Sequence, residues 1–299
     1  MNKLPITLIA GFLGSGKTTF LQKHINENKN KNILYLINDF SANDVDGIFL
    51  KKNEINLRTI LGGSIFCNCL ITEFTETLNS ILNLKNHFEE IIIETSGITN
   101  PLSANKMLKE SQLNEQFFIK RIISIVDSTN FLKLEKSLSN IHNQIIAADI
   151  IIINKIDLIY DNKINEIQKK VKSINPNADI LFSEFCKIDF NSLKNYNIKK
   201  QLEFSTKKSE KYSRLSFKSK KNLNYEKLKG FVSNKKELIF RVKGFVNIND
   251  APHSINYSGS GWLIKKITKN VNPSLEFIFL NKNKERINQI LRKGIFFKK

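Results

Sequence analysis

The segment GFLGSGKT, residues 11–18, constrains the fold most, because it joins an apolar run to a helical pattern. ITLIA before it is a continuous apolar run typical of a buried strand, and TTFLQKHI after it has amphipathic spacing. The segment fits G-x-x-x-x-G-K-[S/T], whose glycines let backbone N–H groups converge on a phosphate at a helix N-terminus. The sequence therefore predicts a strand–loop–helix unit that binds a nucleotide phosphate.

The side chains of this loop have separate predicted roles. Lys17 is expected to reach the β- and γ-phosphates and to take part in catalysis, and the Thr18 hydroxyl to ligate Mg²⁺. The whole predicted phosphate-binding set is Gly11, Gly14, Ser15, Gly16, Lys17, Thr18 and Thr19.

The tetrapeptide NKID, residues 154–157, follows the apolar run DIIII and predicts the nucleotide base. A carboxylate at Asp157 accepts hydrogen bonds from the ring N–H and the amino group of guanine, whereas adenine would leave it unpaired. Asn154 is expected to brace the loop, and Lys155 to lie over the base. The nucleotide is therefore predicted to be GTP.

A third motif, ETSG at residues 94–97, ends another buried strand. Glu94 is predicted to hold a water on Mg²⁺ or to order the attacking water, and the Gly97 N–H to sense the γ-phosphate. The alternative for Glu94 is a solvent-facing strand end.

Five short apolar runs and intervening amphipathic stretches predict a doubly wound, mostly parallel α/β domain over residues 1–190. The polar, lysine-rich residues 191–211 are interpreted as a linker. Residues 212–299 alternate short strand-like runs with two helical patterns and predict a smaller α+β domain with an antiparallel sheet.

Charge and cysteine content limit the class of protein. Residues 200–299 carry 24 Lys and Arg against 7 Asp and Glu, most of the net charge of +19. A solvated lysine-rich surface is favoured over nucleic-acid binding, which stays open, because Arg is scarce. Three cysteines do not make a disulfide scaffold, and no run approaches the ~20 apolar residues of a membrane helix. We expect a cytoplasmic protein with no membrane partner.

Two of those cysteines, Cys67 and Cys69, are one residue apart. In an extended segment both side chains point to the same side, so the two sulfurs could chelate one soft ion such as Zn²⁺. Buried packing thiols and a strained redox pair are the alternatives. Cys186 stands alone in the sequence and is expected to be structural.

The motifs GFLGSGKTT, ETSG-x-x-x-P, S-I-V-D and NKID, with FRVKGFV in the last third, resemble the CobW-type metallochaperone GTPases, relatives of the urease and hydrogenase nickel-insertion proteins. The resemblance covers nearly the whole chain. It implies a P-loop GTPase that hydrolyses GTP slowly and carries zinc or a similar ion to a client metalloprotein.

The chain departs from that family in its metal motif. The family pattern G-G-C-x-C-C reads GGSIFC here, so Ser64 and Phe66 replace two cysteines, while Cys67 is retained and Cys69 is new. The family's N-E-F-G-E segment reads NDFSA at residues 38–42, which keeps one carboxylate, Asp39. We expect Cys67, Cys69 and Asp39 to hold the transferred ion in an open site.

The predicted function is a GTP-hydrolysing switch that acts as a metal chaperone, with GTP and Mg²⁺ as cofactors and Zn²⁺ as cargo. One alternative is a GTPase chaperone of a cofactor-dependent enzyme, such as a corrinoid enzyme, without metal cargo. Another is a basic nucleic-acid-binding module. Homo-oligomerisation stays open.

Overall fold

A computed structural model describes residues 3–39, 56–61, 65, 71–82, 84, 88–190, 193, 212–218, 221–235, 238–258, 261–267 and 273–292. The chain divides into two compact units, Met1–Ser209 and Glu210–Lys299. Within the described residues, no helix combines the length and apolarity that a membrane crossing requires.

A parallel sheet forms the centre of the first unit. Its strands are β1 (Leu4–Ala10), β2 (Ile33–Asp39), β3 (Leu57–Leu61), β4 (Glu90–Glu94), β5 (Phe117–Asp127), β6 (Ile150–Asn154) and β7 (Asp179–Ser183). Their order across the sheet is β3-β2-β4-β1-β5-β6-β7. Because β1 pairs with both β4 and β5, the strand order reverses at β1, which is where doubly wound sheets bind ligands.

Helices and short 3₁₀ turns connect these strands. The helices are α1 (Lys17–Glu27), α2 (Ile71–Leu82), α3 (Ala104–Glu110), α4 (Phe131–Ser137), α5 (Ser139–Ala147) and α6 (Asp161–Ile174). The two faces of the sheet carry separate apolar clusters, one around Leu8 and Ile93 and the other around Ile9 and Phe20. Successive residues of β1 thus pack into opposite cores, and β6 is buried along its whole length.

The second unit is built on an antiparallel sheet. Its elements are β8 (Tyr212–Lys218), α7 (Tyr225–Ser233), β9 (Ile239–Ile248), β10 (Ala251–Ser258), β11 (Gly261–Lys266), β12 (Ser274–Leu280) and α8 (Lys284–Arg292). The strand order is β11-β10-β9-β12-β8, and Leu228 and Val232 of α7 contribute to the apolar core. The predicted fold class, a parallel P-loop domain followed by a smaller α+β unit, is confirmed.

Candidate nucleotide site

The carboxyl ends of five parallel strands bring the predicted nucleotide motifs to one edge of the first unit. The phosphate loop follows β1, ETSG ends β4, Asp127 ends β5, NKID follows β6, and the turn at residues 184–187 follows β7. Motifs separated by up to about 140 positions therefore share one site, because parallel strands end at the same edge.

The phosphate loop is held by positive-φ glycines and by Lys17. Gly11 has φ 140°, and a Cβ on it would lie 2.4 Å from the Ile125 carbonyl oxygen. The buried Lys17 ammonium donates to the carbonyl oxygens of Gly11 at 2.9 Å and Phe12 at 3.2 Å. Ser15 Oγ is buried and has no hydrogen-bond partner among the described residues. Such an atom in a glycine-lined loop fits a phosphate ligand.

Thr18 and Glu94 face each other across this loop. The Thr18 hydroxyl donates to Glu94 Oε1 at 2.9 Å, and Glu94 is buried. Its alternative as a solvent-facing strand end is therefore wrong. A hydroxyl and a carboxylate beside a phosphate loop are the hard oxygen donors that Mg²⁺ prefers. Thr19, on the next position of α1, is exposed.

The loop after Glu94 is anchored from two sides. Gly97 packs so tightly on the phosphate loop that a Cβ there would lie 2.7 Å from Leu13 N. Gln144 on α5 donates to the carbonyl oxygens of Gly97 at 3.2 Å and Thr99 at 3.0 Å. Asn140, one turn earlier, donates to the Ile98 oxygen at 2.9 Å. Sequence reasoning missed these two α5 amides, since the amide positions alone carry no pattern.

The NKID motif is tied to the phosphate loop through two side chains. Asn154 Nδ2 donates to the Ser15 carbonyl oxygen at 2.9 Å. Lys155 has φ 65°, and its ammonium donates to the Gly14 oxygen at 2.7 Å and to Asp127 Oδ2 at 2.6 Å. Asp157 lies on the 3₁₀ turn Ile156–Leu158 with its side chain exposed, where a bound base would be accessible to it.

Cys186 is an unexpected part of this site. Its backbone N–H donates to Asn154 Oδ1 at 2.9 Å, and its thiol donates to the Gly16 carbonyl oxygen at 3.3 Å. A Cβ on Gly16 would lie 2.8 Å from this sulfur. Burial raises the pKa of the Cys186 thiol to about 12, so the thiol is neutral at physiological pH. The sequence offered no signal for this role, because it depends on the pairing of β7 with β6 in the folded sheet.

The residues predicted to hold the transferred ion lie mostly outside the described residues. Cys67 and Cys69 belong to this group, and for Asp39 only the backbone, at the end of β2, is described. Among the residues that are described, three or more His, Cys, Asp or Glu side chains nowhere converge as metal ligands. The cargo site therefore stays a prediction.

Comparison with known proteins finds two matching family models, one in each unit. The family model for the CobW/HypB/UreG nucleotide-binding domain matches residues 5–182, and the model for the cobalamin synthesis protein cobW C-terminal domain matches residues 212–295.

Individual relatives are distant and longer. The zinc-regulated GTPase metalloprotein activator 1 of Dictyostelium discoideum is 28% identical over 222 residues, covering 60% of this chain and 46% of the relative. The zinc chaperone CobW of Sinorhizobium sp. is 28% identical over 199 residues, covering 57% and 56%. The chain spans about half the length of the curated relatives it matches.

Solved structures of a relative resemble the chain over nearly its full length. A zinc(II)-bound triple mutant of the YjiA GTPase matches with a TM-score of 0.51 and 18% identity, covering 98% of this chain and 99% of that one. At this identity the likeness concerns the fold. The family models, the first of which covers more than half of the chain, show that the chain belongs to the CobW/HypB/UreG family.

Proposed function

We propose that this chain binds GTP with Mg²⁺, hydrolyses it slowly, and uses the nucleotide state to deliver a metal ion, zinc, to a client metalloprotein. The observation that carries the proposal is the Thr18–Glu94 pair at 2.9 Å beside a phosphate loop that NKID braces. The relatives named as zinc chaperones and zinc-regulated activators support the cargo.

The phosphate end of the nucleotide would be bound by the loop at residues 11–18. The N–H groups of that loop and the Lys17 ammonium would neutralise the β- and γ-phosphates, so Lys17 would exchange its bonds to the Gly11 and Phe12 oxygens for phosphate oxygens. The Gly97 N–H, held beside Leu13, would be close enough to respond to the γ-phosphate.

Magnesium would be held by Thr18 directly and by Glu94 through a water. When bound, it would supply charge neutralisation on the phosphates during cleavage. The buried Glu94 carboxylate orients the Thr18 hydroxyl, which supports this donor set.

Guanine would be selected by Asp157, whose exposed carboxylate lies on the turn that follows β6. Asn154 and Lys155 would act by position, since both bond to the phosphate loop and so fix the spacing between base and phosphates.

Zinc, as cargo, would be bound by Cys67, Cys69 and Asp39, with a client ligand completing the coordination. The two-sulfur, one-oxygen set follows from sequence. The second unit, residues 210–299, with most of the net positive charge, would contact the client.

The test is a zinc titration against a competing chelator, with the full chain loaded with Mg²⁺ and either GDP or a non-hydrolysable GTP analogue. We expect one zinc per chain, with affinity that differs between the two nucleotides and falls at least about tenfold in Cys67→Ser, which loses one of three ligands. Cys186→Ser is the matched control, because it makes the same thiol-to-hydroxyl change while keeping a donor for the Gly16 oxygen. Equal zinc affinity in both nucleotide states would contradict the carrier function.

A second candidate is a GTPase chaperone without metal cargo. Ser64 and Phe66, where the family motif has cysteines, favour it. The absence of stoichiometric zinc binding in that titration, together with Lys17-dependent hydrolysis of GTP in a separate assay, would select this candidate.

A further inference from the structure

The side chain of Asn38 connects three segments of backbone at the carboxyl edge of the sheet. Its Oδ1 accepts from the N–H groups of Ile65 and Ser96, both at 3.2 Å, and its Nδ2 donates to the Ile60 oxygen at 3.4 Å. Asn38 is buried, with 3% of its surface exposed. A buried amide oxygen shared by two backbone N–H groups is an organised junction, because losing it would leave both donors unpaired.

One side of this junction belongs to the nucleotide site. Ser96 is one residue before Gly97, the predicted γ-phosphate sensor, and two residues after Glu94, which bonds to Thr18. The loop carbonyls that follow are held by Asn140 and Gln144.

The other side leads to the predicted cargo ligands. Ile65 is fully buried and lies two residues before Cys67 in the chain. Asn38 itself directly precedes Asp39. Along the chain, each of the three expected zinc ligands therefore lies within four residues of Asn38 or Ile65.

We infer that Asn38 is a positioning residue that couples the nucleotide state to the cysteine segment; the inference rests on the proposed function. The amides of α5 hold the Gly97–Thr99 carbonyls, so a pull of the γ-phosphate on the Gly97 N–H is passed toward Ser96. Ser96 and Ile65 share a single acceptor atom, so a change in the Ser96 bond alters the hold on Ile65, which lies two residues before Cys67 in the chain. The coupling is thus carried by the two hydrogen bonds that Asn38 Oδ1 accepts from Ser96 and Ile65.

The experiment measures cysteine reactivity, which needs no metal. The full-length, metal-stripped chain is loaded with Mg²⁺ and either GDP or a non-hydrolysable GTP analogue and then alkylated with iodoacetamide. Peptide mass spectrometry gives the rate at each cysteine. The buried, high-pKa Cys186 serves as the slow internal reference.

In the wild-type chain we expect the Cys67 rate to differ by about fivefold or more between the two nucleotides, the lower end of usual coupling. Asn38→Leu, similar in shape but without polar atoms, should bring that ratio close to one while both nucleotides still bind. Asn38→Asp, which keeps the acceptor, should restore the ratio. Asn175→Leu is the matched control: it removes an equally buried amide, which donates to the oxygens of Ile145, Ile146 and Ala148 away from the nucleotide motifs, and should keep the ratio.

An unchanged ratio in Asn38→Leu, or no nucleotide dependence in the wild-type chain, overturns the inference. If Asn38→Leu does not fold, hydrogen exchange of the Ile65 amide in the wild-type chain decides: protection that changes with the nucleotide supports the inference, and equal protection overturns it. A chain without zinc affinity whose cysteine reactivity still depends on Asn38 would keep the inference and remove only the zinc cargo from the proposed function.

Discussion

Asn154 and Cys186 form a hydrogen bond, from the Cys186 N–H to Asn154 Oδ1 at 2.9 Å, that joins the turns after β6 and β7. The same Asn154 amide donates to the Ser15 oxygen, so one buried side chain links the predicted base-binding turn, its neighbour and the phosphate loop. The predicted base and phosphate subsites are therefore held at a fixed spacing, which would reduce the ordering cost of nucleotide binding.

Asn154→Ala should weaken GDP binding by about 10- to 100-fold, because it breaks both bonds and frees the phosphate loop from the base-binding turn. It should also destabilise the chain by about 1–3 kcal/mol, since a buried donor and acceptor lose their partners. Isothermal titration and chemical denaturation measure the two effects.

Asn175→Ala is the control for that loss of stability. Asn175 is equally buried, and its amide donates to the oxygens of Ile145, Ile146 and Ala148, away from the nucleotide motifs. Its loss should cost similar stability but leave GDP affinity within about twofold, as expected for independent sites. Equal loss of GDP affinity in both variants would show that Asn154 acts through stability alone.

Asp157→Asn should change the base specificity from guanine to xanthine. Guanine offers two donors to the carboxylate, whereas xanthine carries an oxygen in place of the amino group and pairs with an amide that donates and accepts. We expect the preference for GDP over XDP to fall by about 10⁴-fold or more, as when a base loses a matched polar contact. Competition binding with both nucleotides measures it. Retained GDP preference would show that Asp157 does not contact the base.

The sequence identified most of the first unit because its central strands are buried on both faces and read as continuous apolar runs. The edge strands β3 and β7 escaped prediction. In β3 Arg58 and Thr59 interrupt the apolar residues, and in β7 only the three residues 180–182 are apolar, so neither has the long apolar run of β6.

The nucleotide motifs were predictable for a different reason. Lys17, Thr18 and Asp157 belong to patterns whose spacing is fixed by a rigid ligand, so they are visible within short segments. Asn38, Gln144 and Cys186 act through contacts with segments 22 to 170 positions away, and only the folded sheet brings those partners together.

His24 should make the first unit less stable in acid. It stacks with Phe20 and bonds through Nδ1 to the Tyr35 hydroxyl at 3.1 Å. Burial lowers its pKa from 6.5 to about 4, although Glu90 opposes this shift. The unfolded chain thus binds more protons between these values. The stability that neutral His24 contributes is fully present above pH 6.5 and is lost as the pH falls toward 4. This loss lowers the free energy of unfolding by up to about 3 kcal/mol.

His24→Asn isolates this effect, because its Oδ1 can accept from Tyr35 without titrating in this range. Denaturation at pH 7 and pH 4.5 should show a smaller loss of unfolding free energy in the variant than in the wild-type chain. Equal pH dependence in the two proteins would assign the acid sensitivity to other groups.

Gly244 in the FRVKGFV segment should be intolerant of any side chain. It has φ 154°, and a Cβ there would lie 2.0 Å from the Ser274 carbonyl oxygen on the neighbouring strand β12, where only backbone could yield. Gly244→Ala should therefore destabilise the second unit by at least about 1–3 kcal/mol through overpacking. Gly230→Ala in α7 is the matched control: a Cβ there meets nothing within 4 Å, and the change should stabilise the helix by about 0.5–1 kcal/mol. Thermal and urea denaturation should show that the free energy of unfolding falls in Gly244→Ala and rises in Gly230→Ala. An unchanged free energy of unfolding in Gly244→Ala would mean that β9 and β12 separate at little cost.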